Sequence, residues 1–206
     1  MTARRLVDLS DVPIVDGHGH PLFGDPWSLS RETFVSLFSE GRLGTMGPHV
    51  AHTSYFRRAC RELARRLGCD ESVEAILARR RIVGRDGGRR ALEDSHVDAL
   101  FVDTGYPPGA MPLDEMRHVL PCALHEVLRV ETCAESLLSP ALSYSEFLAA
   151  FRVALQAAVP RCVAFKSIIA YRSGLAVAEP DPAEAARAYA EVVARIRHGG
   201  SRRLTR

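Results

Sequence analysis

Near the N-terminus, Ile14-Val15 runs straight into Asp16-Gly17-His18-Gly19-His20-Pro21, an acid and two histidines separated by single glycines. Successive side chains of an extended strand point to opposite faces, so Asp16, His18 and His20 share one face. Gly17 and Gly19 take the other face and leave room for close backbone approach there. Pro21 lacks an N–H and suits a strand's end. Two imidazoles side by side at a strand terminus are the first two ligands a divalent ion such as zinc requires. The chain has eight histidines, so a His-x-His pair arising by chance is the competing reading.

Cys162-Val163-Ala164-Phe165-Lys166-Ser167-Ile168-Ile169-Ala170 follows Pro160 and reads as a buried strand. Lys166 is the only lysine, so the other 26 of the 27 basic residues are arginine. Burial lowers a lysine's pKa and can expose a nucleophilic neutral amine, which arginine cannot supply. The plainer alternative is a buried ion pair with Glu131 or Asp103.

Strands and helices alternate along the chain. Strand one is expected near Pro13 to His18, and Ser30 caps a short helix carrying Phe34, Val35, Leu37 and Phe38. Gly41, Gly44, Gly47 and Pro48 are expected to break it. His49 and His52 follow, either reaching a site from a loop or simply solvated. A helical stripe from Ser54 stops at Gly68, and Asp70 offers a cap for a helix carrying Val73, Ile76 and Leu77. Val97 to Asp103 is strand two, Asp114 to Leu120 a short helix, and Leu124 to Glu131 strand three. On strand three His125, Arg129 and Glu131 share a face, and an inward Arg and Glu are costly unless paired or facing a wet pocket. Ser143 and Glu146 have capping-box spacing, and Asp181-Pro182-Ala183-Glu184 opens a last helix that ends at Gly199-Gly200. Strands separated by helices mean βαβ units and a parallel sheet.

The 206 residues are 47% hydrophobic with a net charge of +2, enough for one cored domain and too balanced for a dedicated nucleic-acid binder. Arginine runs such as Arg79 to Arg90 read as solvated helix faces. No apolar run reaches membrane-span length, and the N-terminus has no apolar stretch of signal-peptide type. Five cysteines without a Cys-x-x-Cys pair fit neither a disulfide framework nor a zinc ribbon. The expectation is a soluble, cytoplasmic single domain over residues 1–206, with a polar lead-in at 1–11 and a basic tail at 199–206.

Asp16-x-His18-x-His20 after a first strand, with a later strand lysine, resembles the amidohydrolase superfamily of metal-dependent (β/α)8 barrels. Phe165-Lys166-Ser167-Ile168-Ile169-Ala170-Tyr171-Arg172-Ser173-Gly174-Leu175 is similar to the amidohydrolase-2 type branch, which includes the amidohydrolase-like half of fungal FluG proteins. Val102-Asp103-Thr104-Gly105-Tyr106 and Leu128-Arg129-Val130-Glu131-Thr132 resemble strand-end motifs of that branch. The resemblance covers most of residues 12–200. It implies hydrolysis of an amide or similar C–N bond in a small-molecule substrate by a metal-activated water. It implies His18 and His20 as ligands of zinc or manganese, with Lys166, as its carbamate, a bridging or third ligand. Asp16, Asp103, Arg129, Glu131 and Arg172 would bind substrate or support the ligands.

Such a barrel takes roughly 250 residues, and only four strands are read here. The resemblance puts further histidine ligands on strands five and six and the general base, an aspartate, on strand eight. The expectation is therefore α/β architecture forming about half of a TIM-like barrel, strands 1–4, truncated at the C-terminus and inactive alone. Its two bare sheet edges would invite self-association or a complementing chain. The rivals are a non-catalytic half-barrel remnant or interaction subunit, a metal-dependent decarboxylase relative, and a flavodoxin-like sheet, against which no glycine-rich phosphate loop follows strand one.

Overall fold

A computed structural model describes residues 11–41 and 43–204. Most of the polar lead-in and the last two residues of the basic tail lie outside the described residues. In chain order the elements are β1 (Ile14–Gly19), α1 (Arg31–Ser36), α2 (Leu43–Val50), α3 (Ser54–Leu67), α4 (Val73–Glu93), β2 (Val97–Asp103), α5 (Leu113–Val119), β3 (Ala123–Arg129), α6 (Val130–Leu137), α7 (Tyr144–Ala158), β4 (Cys162–Lys166), a 3-10 turn (Ile169–Tyr171) and α8 (Pro182–Arg197). The chain forms two compact units that interleave in sequence. One holds the described residues up to Ile14 with Leu22–Asp98 and Gly109–Cys122; the other holds Val15–Pro21, Ala99–Pro108 and the chain from Ala123 onward.

The first unit is helical. Ser30 Oγ accepts the Thr33 N–H to open α1, and Thr53 does the same for α3 through Phe56. Ser72, rather than Asp70, caps α4 by accepting from Ala75. Gly68, at φ 65°, closes α3 in the left-handed conformation that costs glycine least. Phe34, Val50, Phe56, Cys60, Ile76 and Leu77 form its core, with Phe34, Phe38 and Phe56 in edge-to-face contact. The expected break at Gly44, Gly47 and Pro48 is instead the helix α2, with Pro48 inside it. Val50 at its end is buried in the core, and that packing outweighs the hydrogen bond Pro48 cannot make. Two arginines of the expected solvated run are half-buried: Arg79 donates to the Leu67 carbonyl and Arg80 to the Pro26 carbonyl.

The second unit carries a four-stranded sheet in the order β1-β2-β3-β4. β2 and β3 pair in parallel with Asp103 opposite Val127. β3 and β4 also pair in parallel, with Arg129 opposite Lys166 and a register shift between Glu126 and Val127. Helices α6, α7 and α8 share a core of Ala134, Leu138, Phe147, Tyr189 and Val193. Ser143 and Glu146 complete the expected capping box on α7, which contributes about 1 kcal/mol. Asp181 caps α8 with Pro182 in its first turn. The edge strands are open: Val15 on β1 is 57% exposed and Phe165 on β4 47%. Gly17 has no neighbour crowding its missing side chain, and Gly19 only an ordinary contact with the Phe101 carbonyl. Among the described residues, the room these glycines leave is met only by that ordinary backbone contact.

Strand three stops two residues early. Val130 and Glu131 open α6 instead of ending β3, and from the first turn of that helix Glu131 finds its partners. Its carboxylate accepts the Ser167 hydroxyl and the Ile168 N–H, and an acid in a helix's first turn is favoured by the N-terminal dipole.

Candidate metal and ion-pair site

The strand ends of the second unit converge on Asp103, the last residue of β2, which is 1% exposed. Arg129 Nη2 donates to Asp103 Oδ2 at 2.6 Å, and Arg129 Nε lies 3.2 Å from both carboxylate oxygens. Lys166 Nζ reaches the same Oδ2 at 2.8 Å, and the Gly105 N–H donates to Oδ1 at 3.0 Å. A buried carboxylate is costly unless fully paired, and here every oxygen has charged or backbone donors. Burial alone would push the Asp103 carboxyl up; hydrogen bonds from Arg129, Lys166 and the Gly105 N–H, with the Arg129 charge, outweigh it and hold the carboxyl below its usual range.

Both histidines at the end of β1 meet this cluster. His18 Nε2 lies 2.8 Å from Lys166 Nζ. His20 Nδ1 lies 3.4 Å from the Asp103 carbonyl and 4.0 Å from its Oδ2. A carbonyl only accepts, so His20 Nδ1 carries the hydrogen and the Nε2 of the neutral ring carries the lone pair. The ammonium of Lys166 only donates, so His18 also presents its lone pair at Nε2. Asp16 Oδ1 accepts the His18 backbone N–H at 3.0 Å, within β1.

Tyr106 and Gly105 complete the cluster, and the sequence marks them only through their strand-end motif. The Tyr106 ring stands edge-on to His20 with centroids 5.5 Å apart, and the Arg129 guanidinium lies 5.7 Å from its centroid. A side chain at residue 105 would come within 2.6 Å of Arg129 Cβ, so glycine is required where Arg129 crosses. The signal for them is Thr104-Gly105-Tyr106-Pro107-Pro108 directly after the strand-end Asp103, a turn stiff enough to hold an aromatic ring in place.

Glu131 and Arg172 have partners of their own. Glu131 braces the segment just after Lys166 through Ser167 and Ile168. Burial raises its carboxyl, and the Ser167 and backbone hydrogen bonds, with the Arg172 charge, more than reverse this. Arg172 donates to Glu135 and to the Leu204 carbonyl, which ties the post-β4 loop to α6 and the C-terminal segment. His49 lies in the last turn of α2, His52 in the turn after it, and His198 caps α8.

A divalent ion is tested by donor type and spacing. Zinc binds imidazole nitrogen at about 2.0–2.1 Å, which puts two rings on one tetrahedral ion at centroids about 5 Å apart. The His18 and His20 centroids are 5.3 Å apart at 65°, and both rings present Nε2. That ring separation is compatible with two neighbouring positions of such a shell. Among the described residues no group of three or more His, Cys, Asp or Glu converges to complete it, and the Asp103 carboxylate is already held by two cations.

No protein-family model matches the chain, and no curated protein matches it. Among the described residues no helix is long and apolar enough to cross a membrane. Among solved structures, the chain is similar to the crystal structure of a "putative metal-dependent hydrolase" from Lactobacillus casei, with a TM-score of 0.77 and 25% sequence identity. The likeness covers 96% of this chain and 53% of that one, so the chain spans about half the length of the protein it resembles.

Proposed function

We propose that this chain is the N-terminal half of a metal-dependent hydrolase barrel of the amidohydrolase-2 type, within the FluG-like branch. The observation that carries the reading is the contact between Lys166 on β4 and His18 on β1, 148 positions apart in sequence. These strands lie at opposite edges of the sheet. In a flat sheet, strands three spacings apart are about 14 Å from each other. A lysine and a histidine meeting across that span support a sheet curved toward its strand ends, the arc that a barrel continues. The likeness to the Lactobacillus casei protein supports the same reading.

In this proposal His18 and His20 hold zinc or manganese, and Lys166, as its carbamate, is a third ligand. A bound ion of this kind polarises a carbonyl and lowers the pKa of its water. Asp103 orients Lys166 and, through its carbonyl, the His20 ring. Arg129, steadied by Tyr106, presents positive charge toward an anionic portion of a small amide-like substrate. The two compact units are read as parts of one domain, and the later strands of a full barrel would supply the remaining ligands and the base. Exposure of Val15 and Phe165 favours a second reading, an interaction subunit that pairs through its sheet edges.

Metal analysis after equilibrium dialysis against zinc and manganese tests the proposal. Weak binding by the wild-type chain, lost in His18→Ala/His20→Ala, is expected. Tight metal fully retained in that double variant would overturn the assignment. Co-purification of a stoichiometric partner chain, with no metal on either component, would favour the second reading.

A further inference from the structure

Lys166 Nζ stands 2.8 Å from His18 Nε2 and 2.8 Å from Asp103 Oδ2. It therefore occupies the one lone pair through which His18 can hold a cation. An ion such as zinc sits about 2.0–2.1 Å from a ligating nitrogen, which lies inside the gap that Nζ already closes. The amine and the ion cannot both face Nε2. We infer that Lys166 is a built-in competitor for the metal position on His18, and that a divalent cation joins His18 only when the Lys166 side chain leaves that nitrogen. The inference rests on reading His18 and His20 as a metal pair and adds an occupant to that site.

Three observations make the exchange feasible. Lys166 is 25% exposed along its side chain, so it has room to swing. When it leaves His18, Asp103 keeps its three Arg129 contacts and the Gly105 N–H. Displacement thus breaks a hydrogen bond without stranding a buried charge. His20 is held through Nδ1 alone among the described residues, so its Nε2 is open and is the first point of entry for an ion. The order that follows is capture by His20, withdrawal of Lys166, then closure by His18.

The experiment uses the full chain and zinc ion alone, in buffer stripped of carbon dioxide so that no carbamate forms. Zinc affinity is read by competition with a chromophoric chelator for wild type, Lys166→Gln and Lys166→Met, with circular dichroism as the check on folding. Both variants should bind zinc more tightly than wild type by about ten-fold or more, the equivalent of one charge-assisted hydrogen bond no longer displaced. Adding His18→Ala should remove the gain. Equal or weaker binding in both folded variants would overturn the inference while leaving the histidine pair standing. Zinc that binds nowhere, or equally well after His18→Ala/His20→Ala, would sink the pair and the inference together.

Because the chain has one lysine, a second readout needs no variant. Lysine labelled with 13C at Cε gives a single side-chain signal in NMR, and this signal should shift in step with the His18 ring nitrogens as zinc is added. A lysine signal that stays still while His18 titrates would overturn the inference even if the variants fail to fold.

Discussion

Arg129 and Lys166 stand opposite each other in the β3–β4 register and donate to the same oxygen, Oδ2 of Asp103, at 2.6 and 2.8 Å. Two cations on neighbouring strands would repel; the carboxylate between them makes the pairing favourable. Asp103→Ala should therefore destabilise the protein by about 3–5 kcal/mol, the usual cost of leaving buried charge uncompensated. Urea unfolding measures this, and a loss under about 1 kcal/mol would mean that water screens the cluster far better than its burial implies.

Acid should act on the same cluster. Asp103 and Glu131 both have carboxyls held below their usual range in the fold. A lowered folded pKa means the stabilisation is complete above the unfolded value, about 4, and is lost as pH falls through the folded values. The urea midpoint should be flat from neutral pH down to about 5 and fall steeply below about 4. Glu131→Gln should lower stability by about 1–3 kcal/mol at neutral pH and flatten part of the acid slope. An unchanged slope in that variant would remove Glu131 from the account.

Gly105→Ala tests how tightly Arg129 is seated. The added methyl would sit 2.6 Å from Arg129 Cβ and 2.9 Å from its Cδ, the near part of the side chain rather than its flexible end. A cost of about 1–3 kcal/mol is expected from overpacking. Arg129→Gly in the Gly105→Ala background, which removes the contacted Cβ together with Cδ, should recover most of that steric term in a double-mutant cycle. Simple additivity would argue that the two positions do not touch.

The open sheet edges should make themselves felt in solution. Val163 and Phe165 on β4 and Ile14 and Val15 on β1 are about half exposed, and such edges favour strand pairing between molecules. Phe165→Lys is expected to reduce binding of a hydrophobic dye and to shrink the particle size seen by light scattering. Unchanged association in that variant would direct attention away from β4.

How much of this was legible in the sequence depends on the range of each interaction. Period-two alternation is local, so the juxtaposition of His18 and His20 and a strand ending near Lys166 were visible at once, although β4 is an exposed edge strand and not the buried one its apolar run suggested. Helix starts at Ser30, Ser143 and Asp181 were equally local, since the caps and their partners lie within one turn. The Lys166–Asp103 ion pair was one of two pairings the sequence left open, but Asp103 as a hub that also takes Arg129 was not legible, because that meeting comes from the register between β2, β3 and β4. The early end of strand three had the same cause: Glu131 finds its partners 36 and 37 residues later. Arg172 had motif company with Lys166, yet a carboxylate on α6 and the Leu204 carbonyl hold it. Helix α2 ran against its own glycines and proline because burial of Val50 depends on a core that the local sequence does not reveal.

The solitary lysine also has a practical consequence. Apart from the α-amine at residue 1, the chain carries one acylatable amine, and that amine lies between His18 and Asp103. An amine-directed reagent thus becomes a reporter with a single address. The rate at which Lys166 is tagged, read on intact protein by mass, measures how often Nζ leaves its two partners, and a ligand that reaches the strand ends will register as protection or exposure at one known atom.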